Sequence, residues 1–166
     1  MFSLGEARVQ ITLIPIRPED IQLASDLLFE ASEWAPRTPV NMDPVPILFA
    51  QNSVWLTAVN EDKEVVGIVG VHGISFPDRS GELACGVVPK WRTKGMAKTL
   101  ADLLHDYCFN TLNLHRLTST CLQDSPMAKV AFACNLVLEG RGCHSRVKNG
   151  EWLDTLYFAV LNPKEA

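Results

Sequence analysis

The chain has 166 residues and a net charge of −4, with 47% hydrophobic and 20% charged residues. This size and composition suit one globular domain with an apolar core, and we expect a single domain over residues 1–166. No apolar run reaches the roughly 18 residues of a membrane span, and the first ten residues lack the apolar segment of a secretory signal. We therefore expect a cytoplasmic protein that does not act on membranes.

The cysteines and histidines show no metal or disulfide pattern. There are five cysteines, an odd number, and no two are spaced as C-x-x-C; they are Cys85, Cys108, Cys121, Cys134 and Cys143. The four histidines are scattered without ligand spacing. We expect free thiols in a reducing compartment and no bound metal.

The charge is uneven along the chain. Residues 1–80 carry 5 Lys/Arg and 11 Asp/Glu, which gives −6, whereas residues 81–166 carry 10 and 8, which gives +2. A nucleic-acid-binding surface would need a basic stripe, so the pattern argues against nucleic acid as a partner. It is compatible with an anionic cofactor on one side and a cationic substrate on the other.

The first third of the chain predicts a strand, a helix and a loop. Alternation over Arg8–Ile16 predicts the strand, and Arg17–Asp20 opens the helix, with the apolar stripe Ile21, Ala24, Leu27, Leu28 and Ala31. Trp34–Pro46 contains four prolines and predicts a loop, either a substrate lip or a plain connector. Val45–Gln51 favours a short helix.

An antiparallel meander follows. Val54–Val59 and Glu64–His72 read as a hairpin, Phe76–Gly81 as a second turn, and Glu82–Val88 as the next strand. This last strand is the fourth of the chain.

The remaining elements alternate between helix and strand. A helix is predicted from Gly95 to Asn110 and a fifth strand over His115–Cys121, and Ser125 and Pro126 are the N-cap and first residue of another helix. The last two strands, Val137–Val147 and Glu151–Leu161, meet at an Asn-Gly turn. The expected fold is an α/β domain, a mixed sheet flanked by helices.

Val87–Leu100 is the stretch that indicates function. It passes from an apolar strand through a basic loop containing a glycine into an amphipathic helix, which places backbone N–H groups at a positive helix end and suits a phosphate. The chain has neither the G-x-x-x-x-G-K-[ST] of nucleotide triphosphatases nor the G-x-G-x-x-G of dinucleotide-binding folds.

The loop matches a different signature. Arg92–Ala97 fits the Q/R-x-x-G-x-G/A pattern of the GNAT superfamily, the Gcn5-related N-acetyltransferases. Glu82–Trp91 resembles the strand that precedes this loop in the RimJ/RimL-type branch, and Ile16–Asp20 and Leu138–Gly140 with Asp154–Tyr157 resemble its beginning and end. The resemblance implies the GNAT acyl-CoA N-acyltransferase fold, with a mostly antiparallel sheet whose fourth and fifth strands splay apart.

The resemblance also implies a cofactor site. In the family the loop and the following helix start hold the pyrophosphate of coenzyme A, here Arg92, Thr93, Lys94, Gly95, Met96, Ala97, Lys98 and Thr99. Gly95 allows close backbone approach, and Arg92 and Lys94 add positive charge. The pantetheine arm lies between the splayed strands, where Val87 and Val88 are expected to offer backbone hydrogen bonds.

The segment after the fifth strand departs from the family. Asp124 stands where an Asn commonly contacts pantetheine, Met127 replaces a Ser, and Asn135 replaces a Gly, while Lys129 keeps a basic position. Asn135 is tolerable because Asn accepts a left-handed conformation. The tyrosine that many members use as general acid falls at Ala131 and is absent.

Glu82 is the candidate general base, since it begins the fourth strand near the expected acetyl group; the alternative is a surface glutamate that closes the hairpin. A backbone N–H would polarise the carbonyl. The pKa of the departing thiol, about 8 to 9, makes a strong acid unnecessary, with Ser125, Tyr157 and His144 in reserve.

Two functions remain open. The first is transfer of an acetyl group from acetyl-CoA to a primary amine, either a protein N-terminal α-amine or a small amine, by direct attack in a ternary complex. The second is an acyl-CoA-binding module that has lost turnover and acts through a protein partner. The acceptor is expected to lie against loops at Trp34–Asn52 and Arg141–Glu151, and a homodimer is an open assembly state.

Overall fold

The computed structural model describes residues 9–32, 48, 50–92 and 95–165, without the side chains of residues 29, 31 and 32. Within these ranges the strands are β1 Thr12–Pro15, β2 Val54–Val59, β3 Val65–Ser75, β4 Ser80–Val87, β5 Arg116–Leu122, β6 Val137–Lys148 and β7 Glu151–Leu161. The helices are α1 Ile21–Ser32, α2 Met96–Asp106 and α3 Pro126–Ala133. The predicted loop Trp34–Pro46 and most of the predicted helix Val45–Gln51 lie outside the described residues.

Local sequence signals set several element ends as predicted. The Ser125 hydroxyl caps α3 by accepting the Met127 N–H at 3.1 Å, with Pro126 as the first helical residue. Asn149 and Gly150 join β6 and β7 with φ of 53° and 81°, and Asn135 has a φ of 59° after α3. The confirmed signals are short polar or glycine residues at positions that demand their particular backbone conformations.

One seven-stranded sheet runs in the order β1-β2-β3-β4-β5-β7-β6. Its neighbours are antiparallel except β4 and β5, which run parallel and pair only at Ser80↔Arg116, Gly81↔Leu117 and Glu82↔Thr118. Beyond Glu82 and Thr118 the two strands diverge. The predicted splay is confirmed, and we call the gap between the diverging strands the wedge.

Helices cover both faces of the sheet. On the α1 face, helix α1 packs Ala24 and Leu27 against Trp55 and Ile68. On the opposite face, α2 buries Leu100 and Leu104 against the meander, and α3 packs over β5 and β7; the buried partners there include Val69, Val71, Leu117, Cys121 and Phe158. Burial of these apolar side chains stabilises the sheet between two helical layers.

Several predicted boundaries differ from the structure. Strand β1 begins at Thr12 rather than at Arg8. Strand β4 begins at Ser80, because the turn after β3 is shorter than predicted. Helix α2 ends at Asp106 and continues as a wider turn over Tyr107–Thr111, closed by the Leu112 N–H to the Tyr107 carbonyl at 3.2 Å. The segment Arg141–Glu151, predicted as an acceptor loop, is mostly the far half of β6, with irregular pairing between Gly142 and Arg146.

No helix in the described part of the chain is both long enough and apolar enough to cross a bilayer.

Candidate active site

The edge of β4 that faces the wedge is defined by hydrogen bonding to β3. The Val88 N–H donates to the Val66 carbonyl at 2.9 Å, and the Gly81 carbonyl accepts from the Thr118 hydroxyl of β5 at 3.3 Å. Because backbone groups alternate along an antiparallel strand, the odd-numbered residues of β4 direct their N–H groups away from β3. The N–H of Leu83 lies within the short β4–β5 ladder, and those of Cys85 and Val87 point toward the wedge. The wedge therefore presents a row of backbone donors where no strand of the described chain pairs with them.

A cavity of about 30 Å³ lies beside this row, between β4, β5, α2 and α3. Its lining is mainly apolar and includes Leu83, Cys85, Leu104, Met127 and Ala131. The volume is room for about one water molecule. Burial raises the pKa of the Cys85 thiol to about 12, so this sulfur is a neutral wall of the cavity.

His105 of α2 also lines the cavity and was missed by the sequence analysis. Its Nε2 atom is buried and has no hydrogen-bond partner among the described residues, and burial lowers the pKa of the imidazole. The helical pattern placed it between the apolar and polar stripes, which gave no signal for a cleft position.

Gly95 precedes helix α2 in an unusual backbone conformation. It has φ 74° and ψ 12°, a left-handed conformation, and it is the residue immediately before α2. A Cβ at this position would meet no atom within 4 Å, so open space lies above the backbone. The first amides of α2 have no carbonyl acceptor within the helix and carry its positive end. This arrangement can receive an anionic phosphate.

The positive side chains described on either side of Gly95, Arg92 and Lys98, already have partners. The two Nη atoms of Arg92 each donate to Glu30 of α1 at 2.6 Å, and Arg92 Nε donates to the Val87 carbonyl at 2.9 Å. The guanidinium holds the pKa of Glu30 below its usual value. Lys98 contacts Asp102 at 2.6 Å. Thr93 and Lys94 lie outside the described residues.

The other predicted loop residues divide by exposure. Met96 is buried with its side chain in the core and Ala97 packs against it, so only their backbone groups can face a phosphate, whereas Thr99 is exposed. Val88 differs from the prediction, because its N–H bonds Val66 and its carbonyl accepts the Trp91 N–H at 2.8 Å. Of the two predicted backbone contacts, only Val87 directs its N–H into the wedge.

Comparison with known proteins gives the family. The acetyltransferase (GNAT) domain matches residues 10–134. The chain belongs to the GNAT family. The match covers the meander, the glycine loop, α2, β5 and α3; the finer assignment to the RimJ/RimL-type branch stays a prediction.

Two curated GNAT relatives and two solved structures show how far the similarity extends. Spermidine N(1)-acetyltransferase of Vibrio cholerae is 30% identical over 103 residues, 61% of this chain and 60% of that protein. L-amino acid N-acetyltransferase AaaT of Escherichia coli is 30% identical over 101 residues, 59% and 62%. The matched part is therefore about three fifths of each relative's length.

The structure of spermidine N-acetyltransferase from Vibrio cholerae in complex with CoA and spermine gives a TM-score of 0.79 at 22% identity, over 92% of this chain and 95% of that one. A dodecameric structure of spermidine N-acetyltransferase from the same organism gives 0.76 at 22%, over 94% and 96%. These likenesses show the GNAT fold.

Glu82, the predicted base, lies where the GNAT wedge begins. It forms the last β4–β5 pair with Thr118, and on its other side it is directly opposite His72 of β3. Its side chain is half-buried on the α1 face. The sequence analysis missed His72, although strand alternation would place it on the same face as Ile68.

The residues after β5 differ in exposure. Asp124 and Lys129 are exposed on either side of the α3 N-terminus, and their predicted contact with the cofactor stays a prediction. The Ser125 hydroxyl is buried and engaged as the helix cap.

The other reserve acids lie on the β6–β7 hairpin. Tyr157 is on β7, beyond β5 from Glu82, and it is opposite Thr120. The His144 ring stacks on Trp152 with ring centroids 6.4 Å apart, and the backbone N–H of His144 donates to the Asp154 carboxylate at 2.7 Å. The three reserve acids therefore lie apart: Ser125 at the α3 cap, Tyr157 opposite β5, and His144 beside Trp152.

Proposed function

We propose that this chain transfers an acetyl group from acetyl-CoA to a primary amine. The observation that carries the proposal is the wedge, which starts at Glu82 and Thr118 and is lined by backbone donors on β4. Family membership supports the same reaction, since the match covers the elements that build the wedge.

The residues present fit an acyl-CoA donor. The pantetheine arm would lie along β4 and accept from the N–H of Val87 and Cys85, while the pyrophosphate would meet Gly95 and the first amides of α2. Arg92 and Lys98 would stay within reach of the pyrophosphate while keeping their ion pairs with Glu30 and Asp102. The thioester then lies near Glu82, beside the apolar cavity.

The chemistry needs few groups. The amine nitrogen attacks the thioester carbonyl, the C–N bond forms, and the C–S bond breaks after a tetrahedral intermediate. A backbone N–H of β4 stabilises the oxyanion. The leaving thiolate is a weak enough base to depart without a strong acid, which suits a chain that has Ala131 in place of the family's tyrosine. Glu82 is positioned to receive the amine proton.

We propose a small primary amine as the acceptor. The named relatives act on spermidine and on L-amino acids, which are both small amines. A protein N-terminal α-amine, implied by the RimJ/RimL resemblance, is the competing acceptor. The acidic excess of residues 1–80 supports a cationic acceptor at the α1 face.

Two measurements test the proposal. Acetyl-CoA at one hundred times its dissociation constant should stabilise the protein by about 2.7 kcal/mol, and thiol release should follow with at least one of spermidine, free amino acids or N-terminal peptides. No stabilisation at millimolar acetyl-CoA would overturn donor binding. Stabilisation without thiol release from any acceptor would support the binding module instead.

A further inference from the structure

His72 and Glu82 form a cross-strand pair at the start of the wedge. They are directly opposite in the β3–β4 register, and the side chains of both point to the α1 face. The pair belongs to the hydrogen-bonded class, since Val88 and Val66 fix the alternation, so the Cα atoms are about 5.5 Å apart. Glu82 is next to the wedge, and His72 is one strand behind it.

The imidazole of His72 is held in place by Trp55. The two rings stack at 6.3 Å with planes within 6° of parallel. Trp55 is only 5% exposed and lies over Gly70, where even a Cβ would clash with the indole. Trp55 therefore contacts the ring from the β2 side, and Glu82 is its register partner on β4.

Burial and charge act in opposite directions on the His72 imidazole. Burial lowers the pKa of His72, and the negative charge of Glu82 opposes that shift. From β2 it meets the indole of Trp55. The buried carboxylate at the start of α1, Asp20, is engaged by Arg17 and Thr57. Glu82 is therefore the ionised group among the described residues that acts on His72.

We propose that His72 and Glu82 form a proton relay for the acceptor amine. Glu82 receives the proton from the attacking nitrogen, and His72, a positioning residue that acts through Glu82, takes it on and holds it as an imidazolium next to the carboxylate. The inference rests on the proposed acetyl transfer.

The proton balance of the step is complete. The nitrogen forms its bond to the acetyl carbon and loses one proton to a Glu82 oxygen; this proton passes to His72 and then to solvent. The coenzyme A thiolate leaves with the electrons of the C–S bond and takes a proton from solvent. A histidine ordinarily has a higher pKa than a carboxyl group, and the negative charge of Glu82 offsets part of the lowering by burial, which is the gain from the second residue.

The first test compares pH profiles of kcat for wild type, His72→Gln and Glu82→Gln with one acceptor, so that the acceptor's own ionisation is the same in each. We expect His72→Gln to lower kcat about tenfold or more and to leave the acetyl-CoA KM unchanged. In wild type, kcat should fall at low pH as His72 becomes protonated, and this fall should be absent in His72→Gln. His115→Gln is the matched control, a half-exposed histidine that directly precedes β5 and pairs with Glu165. It should keep the wild-type profile.

The second test does not depend on turnover. Histidine NMR titration should give His72 a pKa that falls further in Glu82→Gln, because the carboxylate charge that raises it is gone. An unaltered His72 titration, or a wild-type kcat profile for His72→Gln, would overturn the relay. If no acceptor is acetylated by any variant, the proposed function fails, and the titration still decides whether the two residues are coupled.

Discussion

Gly95 shows how one backbone conformation can control a binding site without any side chain. At φ 74° an L-residue brings its Cβ close to a carbonyl oxygen, and the cost is about 1–2 kcal/mol for an ordinary residue. The space above Gly95 is open, so a substitution there would test conformation rather than crowding. The same conformation lies immediately before the first free amides of α2.

We predict that Gly95→Ala lowers the free energy of unfolding by about 1 kcal/mol and weakens stabilisation by acetyl-CoA. Gly95→Asn should be milder, because Asn tolerates the left-handed region. Thermal melts with and without acetyl-CoA measure both effects. Gly140→Ala is the control, since Gly140 does not have a positive φ and its Cβ would meet Tyr157 at an ordinary 3.8 Å. Equal losses for Ala at positions 95 and 140 would contradict the conformational explanation.

Between elements, Asp20 joins the start of α1 to β2. Its carboxylate is buried at 4% exposure and accepts from Arg17 at 2.6 and 2.9 Å and from the Thr57 hydroxyl at 3.0 Å. The Arg17 hydrogen bonds come first in holding the pKa of Asp20 below its usual value. Helix α1 carries Glu30 at its other end, so this anchor also supports the contact to Arg92.

Asp20→Asn should destabilise the fold by about 1–3 kcal/mol at neutral pH, because it removes a charged acceptor from a buried network. The native pKa is depressed, so the stabilisation is present above the unfolded-state value of about 3.9 and is lost as pH falls through the native pKa. The difference in free energy of unfolding between wild type and Asp20→Asn should therefore become smaller in acid. Urea unfolding from neutral to acidic pH measures it, with the exposed Asp26→Asn as the control. A gap that does not change with pH would rule out the charge as its cause.

Most elements could be predicted from the sequence because their signals are local. The Ser125 cap, the Asn149–Gly150 turn and the amphipathic stripe of α2 each depend on a few neighbouring residues. The pairing of His72 with Glu82 could not be predicted, because it depends on the β3–β4 register. The turn was predicted to end at Gly81, whereas β4 begins at Ser80, and β3 carries an irregularity between His72 and Ser75. A slip of one residue moves a side chain to the other face of a sheet. The Glu30–Arg92 contact joins residues far apart in sequence, for which no local pattern exists.

Over the whole molecule, the five cysteines report on different regions and all are free. Cys143 is exposed on β6, whereas Cys108 and Cys121 are buried outside the cavity lining. Cys85 and Cys134 both line the cavity. Burial raises the pKa of Cys134 to about 11 and that of Cys108 to about 12, which makes the buried thiols slow to react.

Alkylation by iodoacetamide, followed by mass spectrometry, should therefore separate three classes of thiol. Cys143 should react fastest in the native protein, and Cys143→Ser should remove that phase. Acetyl-CoA should slow alkylation of Cys85 and Cys134 at least several-fold, since a pantetheine arm in the wedge would lie against the cavity they line. Global stabilisation by the ligand would also slow Cys108 and Cys121, so the informative quantity is the extra protection of the two cavity thiols over those two. Uniform protection of Cys85, Cys108, Cys121 and Cys134 would place acetyl-CoA elsewhere, because only an occupant of the wedge shields Cys85 and Cys134 beyond the other two.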